Sequence, residues 1–352
     1  MSLQYFIPDW DDRVDPDFNF LSDEHKHGRD PYRDDRYAHE LYQTPPYDGV
    51  LLSRAVVDDN SRKRSEIVLA GSVHRYLRLP QDGQHKVLGD CGAFTYWKEF
   101  EPPYKTEEML EYYQALNFDM GVSIDHLIFA ELEAEKERRF EITIQNAEDF
   151  LRLHEKGGYE FTPIGVAQGW SPASYAKATD ALMKMGYRYI AIGGLVRSQT
   201  EEVIRVLAAV KEKLLPGTQV HLFGVNRPEQ MQRFVQLGVT SFDSASRLRR
   251  AWMDNRQNYY LGASAYTAIR IPDANKLAKI IEHDLTEVCR LEQKALDALR
   301  SYDQEKIDAT HTLEAVFAYG ELTGKLTERV RSDYARTLDV RPWKVCECEI
   351  CR

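Results

Sequence analysis

Phe242-Asp243-Ser244-Ala245-Ser246 sets a carboxylate at the end of a short apolar run, ahead of small residues and then of Arg247, Arg249 and Arg250. A second carboxylate stands in a similar frame far upstream, in Leu88-Gly89-Asp90-Cys91-Gly92-Ala93-Phe94. Glycosyl transfer through a covalent intermediate needs such a pair. One carboxylate attacks the sugar carbon, and the other moves the proton of the leaving or entering group. Each aspartate would equally suit a cap on the helix after its strand, and spacing leaves both roles open. The basic stretch continues to Arg256 and is interleaved with Trp252, Tyr259 and Tyr260. It would hold phosphates beside the nucleophile, which makes a nucleic acid the expected source of the sugar. A solvated helix face is the alternative for the same arginines.

Further groups fit such a site. Gly165-Val166-Ala167-Gln168-Gly169 and Ile192-Gly193-Gly194-Leu195 each end an apolar run in glycine, which lets a flat ligand approach the backbone. Gln168 adds an amide donor and acceptor for a base edge. Phe94 and Phe223, the latter followed by Gly224, flank the site and would sandwich a planar base or, alternatively, fill the core. Cys346-x-Cys348-x-x-Cys351 offers three thiolates to a tetrahedral zinc, which takes four ligands. Cys91 and Cys289 are poor choices for the fourth, and a distant histidine is open.

The scaffold must bring these strand ends together. Short apolar runs recur at 50–52, 67–70, 87–90, 120–125, 163–168, 189–194, 220–224 and 241–243. Amphipathic stretches such as 171–185 and 200–214 lie between them, and Ser171-Pro172 is a helix start with a capping serine. Alternation of buried strands with helices predicts a parallel sheet. Nearly every run ends in a polar residue or glycine, as the strands of an α/β (β/α)₈ TIM barrel do around a shared site. The boundaries read as an irregular N-terminal arm (1–45), the barrel (46–270), a helical insertion with helices over 277–300 and 307–322 (271–340), and a zinc-binding segment (341–352).

Composition narrows the class. The chain has 352 residues, 43% of them hydrophobic, which is enough for a sizeable core. No apolar run reaches the roughly 18 residues of a membrane span. Met1-Ser2-Leu3-Gln4-Tyr5 lacks the basic start and apolar segment of a signal peptide. The five cysteines form no secreted disulfide framework, so a cytoplasmic location is expected. The net charge of −10 disfavours general nucleic-acid affinity. The acids crowd the start, however, and 247–256 is locally basic, and it is the local field that attracts phosphates.

Taken in order, the motifs resemble the tRNA-guanine transglycosylases, which exchange an encoded guanine for a 7-deazaguanine. The matching elements are Tyr47-Asp48-Gly49 with Ser53-Arg54, Gly89 to Phe94, Ser123-Ile124-Asp125, Gly165 to Gly169, Gly193-Gly194-Leu195, Phe223-Gly224-Val225, Phe242 to Ser246 and the C-x-C-x-x-C, across about residues 45 to 352. The resemblance implies a barrel with a structural zinc. It implies Asp243 as nucleophile, Asp90 as acid/base, and Asp125, Gln168, Gly169, Gly193, Gly194 and Gly224 around the base. Phe94 and Phe223 then stack the base, and Cys346, Cys348 and Cys351 bind zinc. The chain departs from the bacterial tRNA enzymes where Ser244-Ala245-Ser246 and the arginines replace a Leu-Pro-Thr-Arg element. It also departs in the helical stretch before Cys346. No RNA-binding domain of the archaeal kind and no counterpart of the family's histidine ligand stand before Arg352, so either the chain is truncated relative to its relatives or it completes the barrel differently. The first two departures, with the opening Tyr5-Phe6-Ile7-Pro8-Asp9-Trp10, resemble the DpdA branch, which inserts 7-deazaguanines into DNA. The expected activity is exchange of guanine in DNA for 7-cyano-7-deazaguanine. The alternatives are archaeosine- or queuosine-type exchange on tRNA and an inactive nucleic-acid-binding module. An ATPase partner protein and a homodimer are left open.

Overall fold

Strand-forming runs become a barrel here because both faces of each strand are covered. The structure, a computed structural model, describes residues 3–22, 24–80 and 83–349, with the backbone alone at Ala130. Eight parallel strands close in chain order: β1 (Gln4–Pro8), β2 (Gly49–Ser53), β3 (Lys86–Asp90), β4 (Met120–Val122), β5 (Thr162–Ala167), β6 (Tyr189–Ile192), β7 (Gln219–Leu222) and β8 (Ser241–Asp243). Ile190, Ala191 and Ile192 are buried in succession, as a strand packed on both faces requires. Outside them, the helix Thr200–Lys211 buries Val203, Val206, Leu207 and Val210, one stripe at helical spacing. The helix Pro172–Met185 starts as its sequence predicts, with the Ser171 hydroxyl accepting from the Ser174 N–H and proline at the first position.

Two expectations change. The run Ile67-Val68-Leu69-Ala70 is the end of the helix Ser61–Ala70, not a strand. Ile67 is buried and Ala70 packs against the core, while Val68 and Leu69 are exposed. A four-residue apolar run carries no period of its own, and the Asn60 cap on Lys63 N–H decides the matter. The missing strand is β1, which lies inside the segment expected to be an irregular arm. Phe6 is fully buried and pairs with Gly49 on one side and Asp243 on the other, so the start of the chain closes the barrel. Beyond β1 the acids are structural. The fully buried Lys63 places Nζ 2.9 Å from Asp9 and 3.2 Å from Asp11.

The chain divides into two compact units, Met1–Ala245 and Ser246–Arg352. Residues 246–270, expected in the barrel, group with the second unit, and the helical region follows all eight strands. That unit holds the helix Ser246–Met253, an antiparallel pair (Tyr259–Leu261 and Ser264–Tyr266) and helices built around Leu277, Val288, Val316 and Tyr319. The stretch 277–300 is two helices, Ala274–Ile281 and Leu285–Asp303. Glu282 turns left-handed between them, and Asp284 caps the second. Among the described residues no helix is long and apolar enough to cross a membrane.

Candidate active site

Strand parity selects the side chains of the site. Successive residues of a strand face opposite sides, so residues two apart share a face. Asp243 ends β8 on the face shared with Ser241, and Asp90 ends β3 in register with Ser53 of β2. Asp243 is buried, and its Oδ1 accepts the Gly224 N–H at 2.9 Å and lies 3.2 Å from His221 Nε2. Asp90 Oδ2 accepts the Gly92 N–H at 3.0 Å. Gly92 is left-handed (φ 88°), and a Cβ there would lie 2.5 Å from the Ala55 methyl, so this turn needs glycine.

Asp125 follows β4 and is buried. Its Oδ1 accepts from the Cys91 thiol at 3.2 Å, and its Oδ2 accepts from Gln168 Nε2 at 2.6 Å. The Tyr96 hydroxyl reaches both Cys91 Sγ and the Asp125 carbonyl at 3.0 Å. Burial, followed by the charges of Asp125 and Asp243, pushes the Asp90 carboxyl up to about 7. Burial also raises Asp125, against the bonds from Cys91 and Gln168. Three carboxylates thus share one region, and Asp90 is poised to hold a proton near neutrality.

Gln168 is buried with one end uncommitted. Its Nε2 serves Asp125, while Oε1 has no hydrogen-bond partner among the described residues. A buried acceptor without a donor costs about 1–3 kcal/mol, which a ligand N–H would recover. Gly193 gives the amide its space: a Cβ there would stand 2.3 Å from Gln168 Nε2. Tyr175 holds that turn by donating to the Gly193 carbonyl at 2.8 Å. Gly194 also lies close, its Cβ position 2.7 Å from Gln168 Oε1, and Gly169 abuts Ser174. Phe94 is half exposed and leans on Phe129, and Phe223 is partly buried with its ring edge-on to His221. Gly193→Ala is expected to destabilise the fold by about 1–3 kcal/mol through this overpacking, read as a lower urea midpoint.

The family model described as TGT, queuine tRNA-ribosyltransferase, matches residues 61–298, more than half of the chain. The chain belongs to the tRNA-guanine transglycosylase family. It is a guanine transglycosylase, and it is 42% identical over 378 residues to a DNA-guanine transglycosylase of Salmonella montevideo, covering 99% of this chain and 89% of that one. It is 28% identical over 190 residues to a tRNA-guanine(15) transglycosylase of Nanoarchaeum equitans, covering 52% of this chain and 44% of the relative. To a queuine tRNA-ribosyltransferase of Marinobacter nauticus it is 33% identical over 135 residues, covering 38% and 34%. The chain thus spans less than half the length of these two tRNA-named relatives.

The remaining residues singled out in this transglycosylase lie in the second unit. The Arg247 guanidinium sits 5.0 Å from the Tyr260 ring centre, and Arg250 donates to the Tyr260 hydroxyl at 2.9 Å and pairs with Asp254. Arg256 is committed to Asp333 in an ion pair, which holds that carboxyl below its usual range. Arg249 is exposed. Cys346 and Cys348 are partly exposed, whereas Cys351 lies outside the described residues. Among the described residues no three potential ligands converge on a metal position. Cys91, a poor zinc ligand on its sequence, lies in the first unit, buried against Asp125. Sequence reasoning passed over His221, whose signal was a lone polar residue inside the apolar run Val220-His221-Leu222-Phe223.

Proposed function

We propose that this transglycosylase exchanges guanine in DNA for a 7-deazaguanine, with 7-cyano-7-deazaguanine as the incoming base, through a covalent aspartyl-sugar intermediate. The observation that carries the chemistry is the grouping of Asp243 with an Asp90 whose proton affinity is raised to about 7. In this reading the target base leaves its stack, at a cost of a few kcal/mol. Asp243 attacks the anomeric carbon, the bond to guanine N9 breaks, and protonated Asp90 delivers its proton to that nitrogen. The incoming base returns the proton from its own N9 to Asp90. Its N9 then bonds the sugar and expels the Asp243 carboxylate. Two inversions give net retention. Gln168 and Asp125 recognise the base edge, Phe94 and Phe223 stack on it, and the glycines at 169, 193, 194 and 224 admit it. Arg247, Arg249, Arg250 and Arg256 hold backbone phosphates.

The preference for DNA rests on near full-length likeness to a relative named for DNA, against partial likeness to those named for tRNA. Incubating the chain and 7-cyano-7-deazaguanine with guanine-labelled plasmid DNA, and separately with labelled tRNA, tests it. Label is expected to leave DNA. Loss from tRNA alone would overturn the DNA reading, and binding without loss from either would favour an inactive binding module.

Zinc at Cys346, Cys348 and Cys351 is part of the same proposal. Thiols at this spacing suit a closed, structural site, and the two described cysteines are partly exposed. The ion would stabilise the C-terminal segment and takes no part in the exchange. Mass spectrometry of the purified protein is expected to find one zinc per chain, lost when Cys346 and Cys348 are both changed to serine.

A further inference from the structure

The exchange as written leaves unused a fully buried histidine directly behind the nucleophile. His221 of β7 stands in register with Ser241 of β8 and with Ala191 of β6. Parity puts Tyr189, His221, Ser241 and Asp243 on one face. The four side chains form a continuous chain: Tyr189 hydroxyl to Ser241 Oγ at 2.6 Å, Ser241 Oγ to His221 Nδ1 at 2.8 Å, and His221 Nε2 to Asp243 Oδ1 at 3.2 Å. All four residues are buried.

We propose that His221 is a positioning residue for Asp243, held in orientation by Ser241 and Tyr189; the inference rests on the reading of Asp243 as nucleophile. An ionised carboxylate only accepts, so the proton of this contact belongs to His221 Nε2. In the neutral ring Nδ1 then accepts from the Ser241 hydroxyl, and the Ser241 oxygen accepts from Tyr189. Every donor has one acceptor and the polarity of the chain is fixed. The ring is gripped edge-on by Phe223, 4.8 Å between centres, and by Phe6, 5.9 Å away, which prevents a flip that would reverse the bonds. His221 and the Gly224 N–H converge on the same oxygen, Oδ1. The carboxylate plane is thereby set, and Oδ2 is left as the oxygen that meets the sugar. After attack Oδ1 is the carbonyl oxygen of the ester and keeps both donors. When the incoming base expels the carboxylate, the charge returns to a group already solvated by them.

The test measures guanine release from plasmid DNA and from tRNA, using whichever the wild-type chain accepts, with the melting temperature of each variant. His221→Phe keeps the ring and removes the donor. Its kcat is expected to fall about 10- to 100-fold, the range commanded by a hydrogen bond to a charged group, with KM for the nucleic acid unchanged. His221→Gln carries an amide N–H to a similar reach and is expected to recover most of the loss. Ser241→Ala and Tyr189→Phe, which loosen the ring without touching Asp243, are expected to lower kcat by smaller factors in that order. A kcat for His221→Phe within twofold of wild type would overturn the inference. So would a His221→Gln variant that melts normally yet is as slow as His221→Phe. Asp243→Asn, measured alongside, separates the two readings. If it still exchanges base, the nucleophile is wrong, whereas a dead Asp243→Asn with an unaffected His221→Phe removes only the role given to His221.

Discussion

Asp243→Asn is expected to lower guanine exchange by about 10⁴-fold or more, the scale on which removing a covalent nucleophile acts. Denaturing gels of the wild-type chain with nucleic acid and no incoming base should show a shifted, covalently linked species, and the variant should show none. The substitution is nearly isosteric. The asparagine carbonyl can still accept from the Gly224 N–H, which holds Asp243 Oδ1 at 2.9 Å in the native chain. The melting temperature should therefore move little, so loss of activity cannot be ascribed to loss of fold. An adduct that persists in Asp243→Asn would transfer the nucleophilic role to Asp90 or Asp125.

Asp90→Asn is expected to slow exchange by about 10²–10⁴-fold while making the protein more stable. The sign follows from the raised affinity of Asp90 for its proton, which burial and the charges of Asp125 and Asp243 lift to about 7. In the unfolded chain Asp90 ionises in the ordinary carboxylate range, near 4. Between about pH 4 and pH 7 the folded state therefore holds a proton that the unfolded state has lost, and stability falls as pH rises through that window. The cost at pH 7 and above approaches about 4 kcal/mol as an upper limit. Asparagine removes it. Urea titrations of both proteins should nearly coincide at pH 4 and separate progressively to pH 7, with the variant the more stable. A variant less stable than wild type at pH 7 would show that Asp90 is not strained by its neighbours.

The barrel and its carboxylates were legible because each depends on a local signal. Asp90, Asp125, Gln168 and Asp243 stand directly after apolar runs, where a strand must end and a barrel gathers its loops. What escaped was non-local. Gln4–Pro8 is five residues with a proline, preceding a polar, acid-rich stretch, and nothing within it says that Phe6 will be enclosed by Gly49 and Asp243. Residues 67–70 failed in the opposite sense, since an apolar run at a helix end imitates a strand when its cap is not weighed. The acids that crowd the start showed no partner nearby in sequence, since Lys63, buried beside Asp9 and Asp11, comes more than fifty residues later. His221 was hidden for a related reason. Its meaning comes from Ser241 and Asp243 on the next strand, a relation that exists only once the register is known.

Closure by the first strand also has a consequence for biosynthesis. β1 leaves the ribosome first, yet one of its two neighbours, β8, is among the last parts of the barrel to be made. At roughly 5–20 residues per second the wait is on the order of ten seconds to a minute. During that interval Gln4–Pro8 can pair only with β2, and its other edge offers unpaired amides to any passing strand. Asp243 gains its full setting when β8 docks between β7 and β1. On the proposed assignment of Asp243 as nucleophile, the nascent chain cannot cut a glycosidic bond before the ring is complete.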